Sequence, residues 1–321
     1  MKLWLAAALF VSAMHARAQV ASPYAIDIPA WFTETFLDIP EDVRDAARER
    51  KSLMLYFGQD GCPYCRELLQ TNFTQRPIVE KTRRHFVAIA LNVWGDREVT
   101  WADGRKMSEK ELARSLRVQF TPTLIFLDEK GAVVARLNGY YPPHRFSAAL
   151  DYAAGIAGKG QKFEDFMRAA AKESASPKLR DEPFFLKLPV NLAGKKPVAL
   201  IFETTHCAGC DDLHRVGFKR PEVRRLLERF DVYRLTLDDR RDDATTTWAS
   251  VLRVSYTPTI VWFDDGKEVF RAESYLRPFH LASALEYVAS GAYRKEPSFQ
   301  RFIQARADRL RERGQGVDLW K

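Results

Sequence analysis

Short apolar runs separated by polar turns pass through the chain twice in the same order. Leu53 to Phe57 is an apolar run closed by Gly58, the pattern of a buried strand. Beyond Cys65, Leu68, Leu69 and Phe73 recur at helical spacing, and Pro77 marks the turn into a second helix. Val87 to Val93 predicts the next strand, and the polar stretch WGDREVTWADGRKMSEKELARSLRV then reads as an insertion. Leu124 to Leu127 and Val133 to Leu137 predict two strands joined by a turn at Asp128 to Gly131, which makes a hairpin. A helix from Phe146 to Ala154 follows. The order β-α-β-α-β-β-α predicts an α/β unit, a mixed sheet flanked by helices.

The second half repeats this layout. LMLYFGQDGCPYC faces VALIFETTHCAGC, and LRVQFTPTLIFLDEKGAVVARLNGYYPP faces LRVSYTPTIVWFDDGKEVFRAESYLRP, with Asp264, Asp265 and Gly266 at the hairpin turn. FEDFMRAAA and FQRFIQARA close the two halves with similar helices. The chain therefore reads as a tandem duplication. The expected boundaries are a first domain over 19–172, a linker over 173–182 within the stretch AAAKESASPKLRDEPFFLKLPVNLAGKK, which carries Ser, Pro and Lys clusters, and a second domain over 183–321.

Composition agrees with two globular domains: 321 residues, 46% hydrophobic and 29% charged, exceed one usual core and exclude a wholly disordered chain. The net charge of +8 is spread along the sequence, so it reads as a solvated surface and nucleic acid is not an expected partner. The first residues, MKLWLAAALFVSAMHARAQV, add a compartment. Lys2 precedes an apolar stretch from Leu3 to about Met14, and Ala16-Arg17-Ala18 supplies a small-residue cleavage site before Gln19. This is the layout of a secretory signal peptide over 1–18. The stretch is short for a membrane span, and no cysteine stands at the cleavage site to carry a lipid. The expectation is a soluble periplasmic or secreted protein in an oxidising compartment, where disulfides persist.

All four cysteines lie in two Cys-x-x-Cys pairs, Cys62 with Cys65 and Cys207 with Cys210. A structural disulfide across so small a loop removes little unfolded-chain entropy and is a poor staple. A zinc ribbon wants its pairs about 15–20 residues apart, and these are far more distant. Covalent haem attachment needs a His after the second cysteine, where Arg66 and Asp211 stand. Redox exchange fits the spacing. A copper or zinc site remains the alternative for the second half, where His206 adjoins Cys207 and His214 lies one helical turn beyond Cys210.

A Cys-x-x-Cys at a strand-to-helix junction, with Thr-Pro directly before the third strand of the same half, resembles the thioredoxin fold. YFGQDGCPYCREL and LARSLRVQFTPTLIFLDEKGAVVARLNGYYPPHRF, with their second-half counterparts, resemble SoxW-like periplasmic thioredoxins and the Thioredoxin_7 and Thioredoxin_2 domain types. The resemblance implies a thiol:disulfide oxidoreductase with no organic cofactor, working through redox-active disulfides. Cys62 and Cys207 would attack as thiolates held at a helix N-terminus, and Cys65 and Cys210 would resolve the mixed disulfide. Pro122 and Pro258 would be cis, with Thr121 and Thr257 contacting an extended substrate peptide. Expected partners are protein or small-molecule thiols and disulfides, with recharging by a membrane thiol-disulfide donor. A reductant of exported protein thiols stands ahead of an oxidase or isomerase, and a copper-binding or thiol-carrier module without turnover is the reading from another class.

Three departures matter. Thioredoxin carries a buried carboxylate six residues before its first cysteine, where this chain has Tyr56 and Ile201. Proton handling would then fall to solvent or to another group such as Glu203. The Trp preceding thioredoxin's motif is replaced by Gly61 and His206. The second motif, with Ala208-Gly209 in place of Pro63-Tyr64, lacks the usual proline.

Overall fold

The computed structural model describes residues 25–170, 175–238 and 243–319. The expected signal peptide lies outside them. In the first half the sheet has strand order β2-β1-β5-β6, formed by β1 (Ser52–Gly58), β2 (Phe86–Asn92), β5 (Thr123–Leu127) and β6 (Val133–Asn138). β1 runs parallel to β2 and antiparallel to β5, and β5 and β6 form the expected hairpin. The sheet is mixed and helices cover both faces. β1 reads as a continuous apolar run because it is central and both faces are buried.

The elements between the strands fall close to the expected places. α2 (Pro63–Glu67) passes into a wider turn of π-helix over Leu68–Asn72, α3 spans Arg76–His85, and α5 spans Pro143–Ala153. Two features differ from the sequence reading. α1 (Ile39–Arg48) precedes β1, capped by Asp38, whose carboxylate accepts the Glu41 N–H, with Ile39, Val43 and Ala46 buried on one face. The polar insertion is ordered: β3 (Glu98–Thr100) and β4 (Lys106–Ser108) pair antiparallel, and α4 (Glu109–Ser115) opens on a Ser108–Glu111 capping box. Buried Glu109 anchors the insertion, accepting the Asn92 N–H at 2.9 Å and pairing with Arg97 at 2.6 Å. α6 (Phe163–Ala169) closes this half.

The second half repeats the sheet and extends it. Its order is β11-β10-β8-β9-β7, with β7 (Phe185–Leu186), β8 (Val198–Glu203), β9 (Asp231–Thr236), β10 (Thr259–Asp264) and β11 (Lys267–Ala272). α7 (Ala208–Asp212) again runs into a π-turn, Leu213–Gly217, before α8 (Pro221–Leu227); α9 spans Asp243–Val251, and α10 (Pro278–Ala289) and α11 (Phe299–Glu312) complete the half. The repeated order β-α-β-α-β-β-α, flanked by extra helices, is the expected fold class.

The two halves pack by exchanging aromatic residues. Phe120 of the first half lies in the second half's core, its ring 5.3 Å from that of Phe270 and 5.4 Å from that of Phe299. Tyr256, at the matching position of the second half, lies in the first half's core, 4.5 Å from the ring of Tyr141. Burying one such ring stabilises by roughly 1.5–3 kcal/mol. Both rings directly precede a Thr-Pro, so the segments facing the cysteine pairs are tied into the contact between the halves.

Candidate functional site

β1 delivers the chain to a turn whose last residue, Gly61, has φ 73°, a left-handed conformation glycine adopts without strain. Cys62 follows as the N-cap of α2, with Pro63 in the first turn, where its missing N–H loses no hydrogen bond. Cys62 Sγ accepts the Cys65 N–H at 3.0 Å and the Thr121 hydroxyl at 3.2 Å, and lies 3.3 Å from the Thr121 carbonyl oxygen. Cys62 and Cys65 are disulfide-bonded, with Cα atoms 5.2 Å apart. Cys62 keeps 3% of its surface exposed and Cys65 none, so the first sulfur is the one an outside thiol meets.

The second half builds the same turn with different residues. His206 takes the left-handed position at φ 55°, and Cys207 caps α7, its Sγ accepting the Cys210 N–H at 3.1 Å. This pair is disulfide-bonded as well. A side chain at Gly209 would place its Cβ 2.9 Å from Pro258 Cδ, so the close approach of the proline loop accounts for the small residue inside CAGC. Both expected prolines, Pro122 and Pro258, follow cis peptide bonds, and both preceding threonines, Thr121 and Thr257, are buried at 5% exposure. A third cis bond, Leu188–Pro189, lies away from either pair in sequence.

The buried polar group beneath each motif differs between the halves. In the first, the Tyr56 hydroxyl fills the space that a side chain at residue 58 would need, which is why Gly58 stands there. Burial holds the Tyr56 phenol well above its usual pKa, and its oxygen has no hydrogen-bond partner among the described residues. In the second, Ile201 and Glu203 take the matching positions, and Glu203 is fully buried. His214 lies between two carboxylates: Nε2 is 3.0 Å from Glu203 Oε1, and Nδ1 is 3.1 Å from Glu182 Oε1. Burial acts to lower the His214 pKa, but the hydrogen bonds and charges of Glu203 and Glu182 outweigh it and raise the value. Arg224, at 3.3 Å, and Lys219, at 3.8 Å, add positive charge on Glu182.

Glu182 comes from the stretch expected as linker and was missed by the sequence reading. Its neighbours are tied to the second site too: the Ser176 N–H donates to Asp211 at 2.8 Å, and Ser176 accepts the His206 N–H at 2.8 Å. His214 itself is not gathered with the sulfurs as a ligand, because both ring nitrogens face carboxylates. Among the described residues no group of three or more His, Cys, Asp or Glu takes up a metal-binding arrangement.

The first pair faces the second half. The Tyr64 hydroxyl accepts the Arg277 N–H at 2.7 Å, Arg277 pairs with Glu67 at 2.9 Å, and the His280 ring lies 5.1 Å from that of Tyr64. Burial, reinforced by the Arg277 charge, pushes the His280 pKa down to about 3, so the ring is neutral at physiological pH. Gln59 Nε2 donates to Gln300 at 2.7 Å and to the Thr121 hydroxyl at 3.3 Å. One hydrogen-bonded chain thus runs from Gln300 through Gln59 and Thr121 to Cys62 Sγ. None of these contacts between the halves carries a periodic sequence signal.

Two cystines, each at a helix N-terminus facing a proline loop, define the class: a thioredoxin-type protein with redox-active Cys-x-x-Cys pairs, a thiol:disulfide oxidoreductase in general terms. The chain belongs to the thioredoxin-like domain family, whose pattern it matches at residues 39–154 and again at 187–289. Among solved structures it is similar to a thioredoxin-fold protein from Helicobacter pylori, 26% identical over 43% of this chain and 86% of that one, with a TM-score of 0.36. It is also similar to a thioredoxin from Thermus thermophilus, 27% identical over 38% and 92%, TM-score 0.29. A disulphide isomerase from Xylella fastidiosa is 15% identical over 45% and 98%, TM-score 0.27. No curated protein matches the chain.

Proposed function

We propose that the chain is an exported thiol:disulfide oxidoreductase that reduces disulfides of exported proteins, so keeping their thiols reduced, and is itself recharged by a membrane thiol-disulfide donor. The observation that carries the exchange chemistry is the N-cap position of the first cysteine in each pair. A backbone N–H already points at Cys62 Sγ and at Cys207 Sγ, at 3.0 and 3.1 Å. A thiolate formed there keeps that hydrogen bond and gains from the positive end of the helix, which lowers its pKa towards neutrality. Cys62 and Cys207 act as nucleophiles; Cys65 and Cys210, one turn on, displace the substrate from the mixed disulfide. The Thr121 hydroxyl, 3.2 Å from Cys62 Sγ, adds a second donor in the first half. The export sequence and the SoxW-like phrases support the periplasmic and reductive parts of this reading.

Trapping tests the roles. Cys65→Ser is expected to accumulate a mixed disulfide on Cys62, and Cys62→Ser to end turnover by the first pair. In a chain carrying Cys207→Ala and Cys210→Ala, so that only the first pair acts, Cys65→Ser that leaves turnover unchanged would refute the assignment.

A further inference from the structure

We propose that Cys62 exchanges with a low-molecular-weight peptidic thiol-disulfide couple, in a cleft that the second half builds over it, and not with a globular protein. The inference rests on the exchange chemistry proposed above and concerns the first pair only, which leaves exchange with exported proteins to Cys207.

A protein disulfide presented as an extended strand needs a free backbone edge beside Thr121. Two residues before Thr121 the chain is covered by the second half. Gln300 Nε2 donates to the Gln119 carbonyl at 2.9 Å, the Phe299 N–H donates to the Gln119 side chain at 3.1 Å, and Gln119 Nε2 donates to the Pro297 carbonyl at 3.1 Å. Phe120, between Gln119 and Thr121, is sunk in the second half's core. Tyr64, on the other flank of Cys62, is buried under Arg277 and His280.

Among the described residues, what stays open is a cleft of about 690 Å³ between the halves. Cys62, Thr121 and Trp94 line it from the first half, and Gln300, Gln304 and Arg311 from the second. Its size lies within the range of about 300–1,000 Å³ that holds small organic ligands. Its amide and guanidinium groups suit the peptide bonds and carboxylates of a short cysteine peptide. A folded protein would have to part the halves to reach the sulfur.

With the pair reduced and RSSR as the small disulfide, the Cys62 thiolate attacks one sulfur of RSSR. The R–S–S–R bond breaks, and RS⁻ leaves and takes up a proton. The Cys65 thiolate then attacks Cys62 Sγ, and the second RS⁻ leaves and takes up a proton. The pair loses two electrons and becomes the disulfide, and RSSR gains two electrons and two protons to become 2 RSH. The reverse sequence recharges the pair from two RSH.

The test uses the full chain carrying Cys207→Ala and Cys210→Ala, so that only the first pair reports. Glutathione disulfide, insulin and oxidised dithiothreitol are the probes. Glutathione disulfide is expected to oxidise the reduced pair at least about tenfold faster than insulin does, and Gln304→Trp, which fills the cleft, to slow glutathione disulfide by about tenfold. The same substitution in the Cys62→Ala, Cys65→Ala chain should leave the second pair's rate unchanged, which also reports folding. Arg311→Trp serves if Gln304→Trp fails to fold. Insulin reacting as fast as glutathione disulfide, or a filled cleft that leaves the glutathione rate within about twofold, overturns the inference. If no probe oxidises the pair at any pH, the exchange reading itself fails.

Discussion

Replacing His214 by Leu, the residue found at the matching first-half position Leu69, should cost the second half much of its stability. In the parent, His214 is 2% exposed and Glu203 fully buried, and the ring bridges Glu203 and Glu182 at 3.0 and 3.1 Å. Leu leaves the Glu203 carboxylate in an apolar strand end without its cationic partner, and removing one member of a buried pair costs about 3–5 kcal/mol. Glu182 keeps Arg224 and Lys219, so Glu203 carries most of the penalty. Replacing Glu203 as well removes the stranded charge, and His214→Leu with Glu203→Leu should recover most of the loss. Urea unfolding measures both: with a slope of about 1–3 kcal/mol per M, the single variant's midpoint should fall by roughly 1 M or more. The pH dependence gives a second reading. The His214 pKa is raised in the folded state, so its contribution is complete below the unfolded value of 6.5 and is lost as pH rises through the higher folded value. The parent should lose stability over that window, and the double variant should lack that slope. A single variant within about 1 kcal/mol of the parent at pH 7, or a double variant no more stable than the single, would refute the reasoning.

Three further outcomes are expected. His206→Gly should stabilise the second half by about 1 kcal/mol, because a non-glycine residue at φ 55° is strained, and the urea midpoint reports it. Burial raises the Asp42 pKa to about 6, with help from Asp38, Glu41 and Asp45, against the Thr35 hydrogen bond, so the native state loses stability as pH rises from 3.8 to that value. Asp42→Asn should therefore gain about 1–2 kcal/mol at pH 7 and almost nothing near pH 4 in the same assay. Phe120→Ala empties an aromatic site in the partner half's core, and should cost about 3–5 kcal/mol and lower Tm by calorimetry; a change below about 1 kcal/mol would deny the aromatic exchange between halves.

The central strands were readable in the sequence because β1, β5, β8 and β10 are apolar runs buried on both faces, bounded by turn residues. The duplication and the two proline loops were readable for the same reason: local order repeats. The β3–β4 hairpin was not, since three-residue strands carry too few alternations to stand out from a loop. α1 begins at a Pro-containing cap and presents only a narrow apolar face, and it passed unread. In the candidate site, the cysteines, threonines and prolines announce themselves by spacing. Glu182, Gln59, Gln300 and His280 do not, because each acts through a contact across the chain that no period encodes. The missing carboxylate at Tyr56 was visible; that its hydroxyl and Glu203 occupy matching places beneath the two motifs became visible only in three dimensions.

Counting electrons at the two pairs tests the exchange chemistry most directly. The full chain and its two single-pair variants are equilibrated over a series of glutathione buffers, quenched with an alkylating reagent and weighed by mass spectrometry. Each pair is expected to titrate reversibly as a two-electron couple, both cysteines of a pair becoming alkylated together, with tenfold in the dithiol-to-disulfide ratio for every ~30 mV. Pairs that keep one redox state across the series, or that take up label one cysteine at a time, would contradict it.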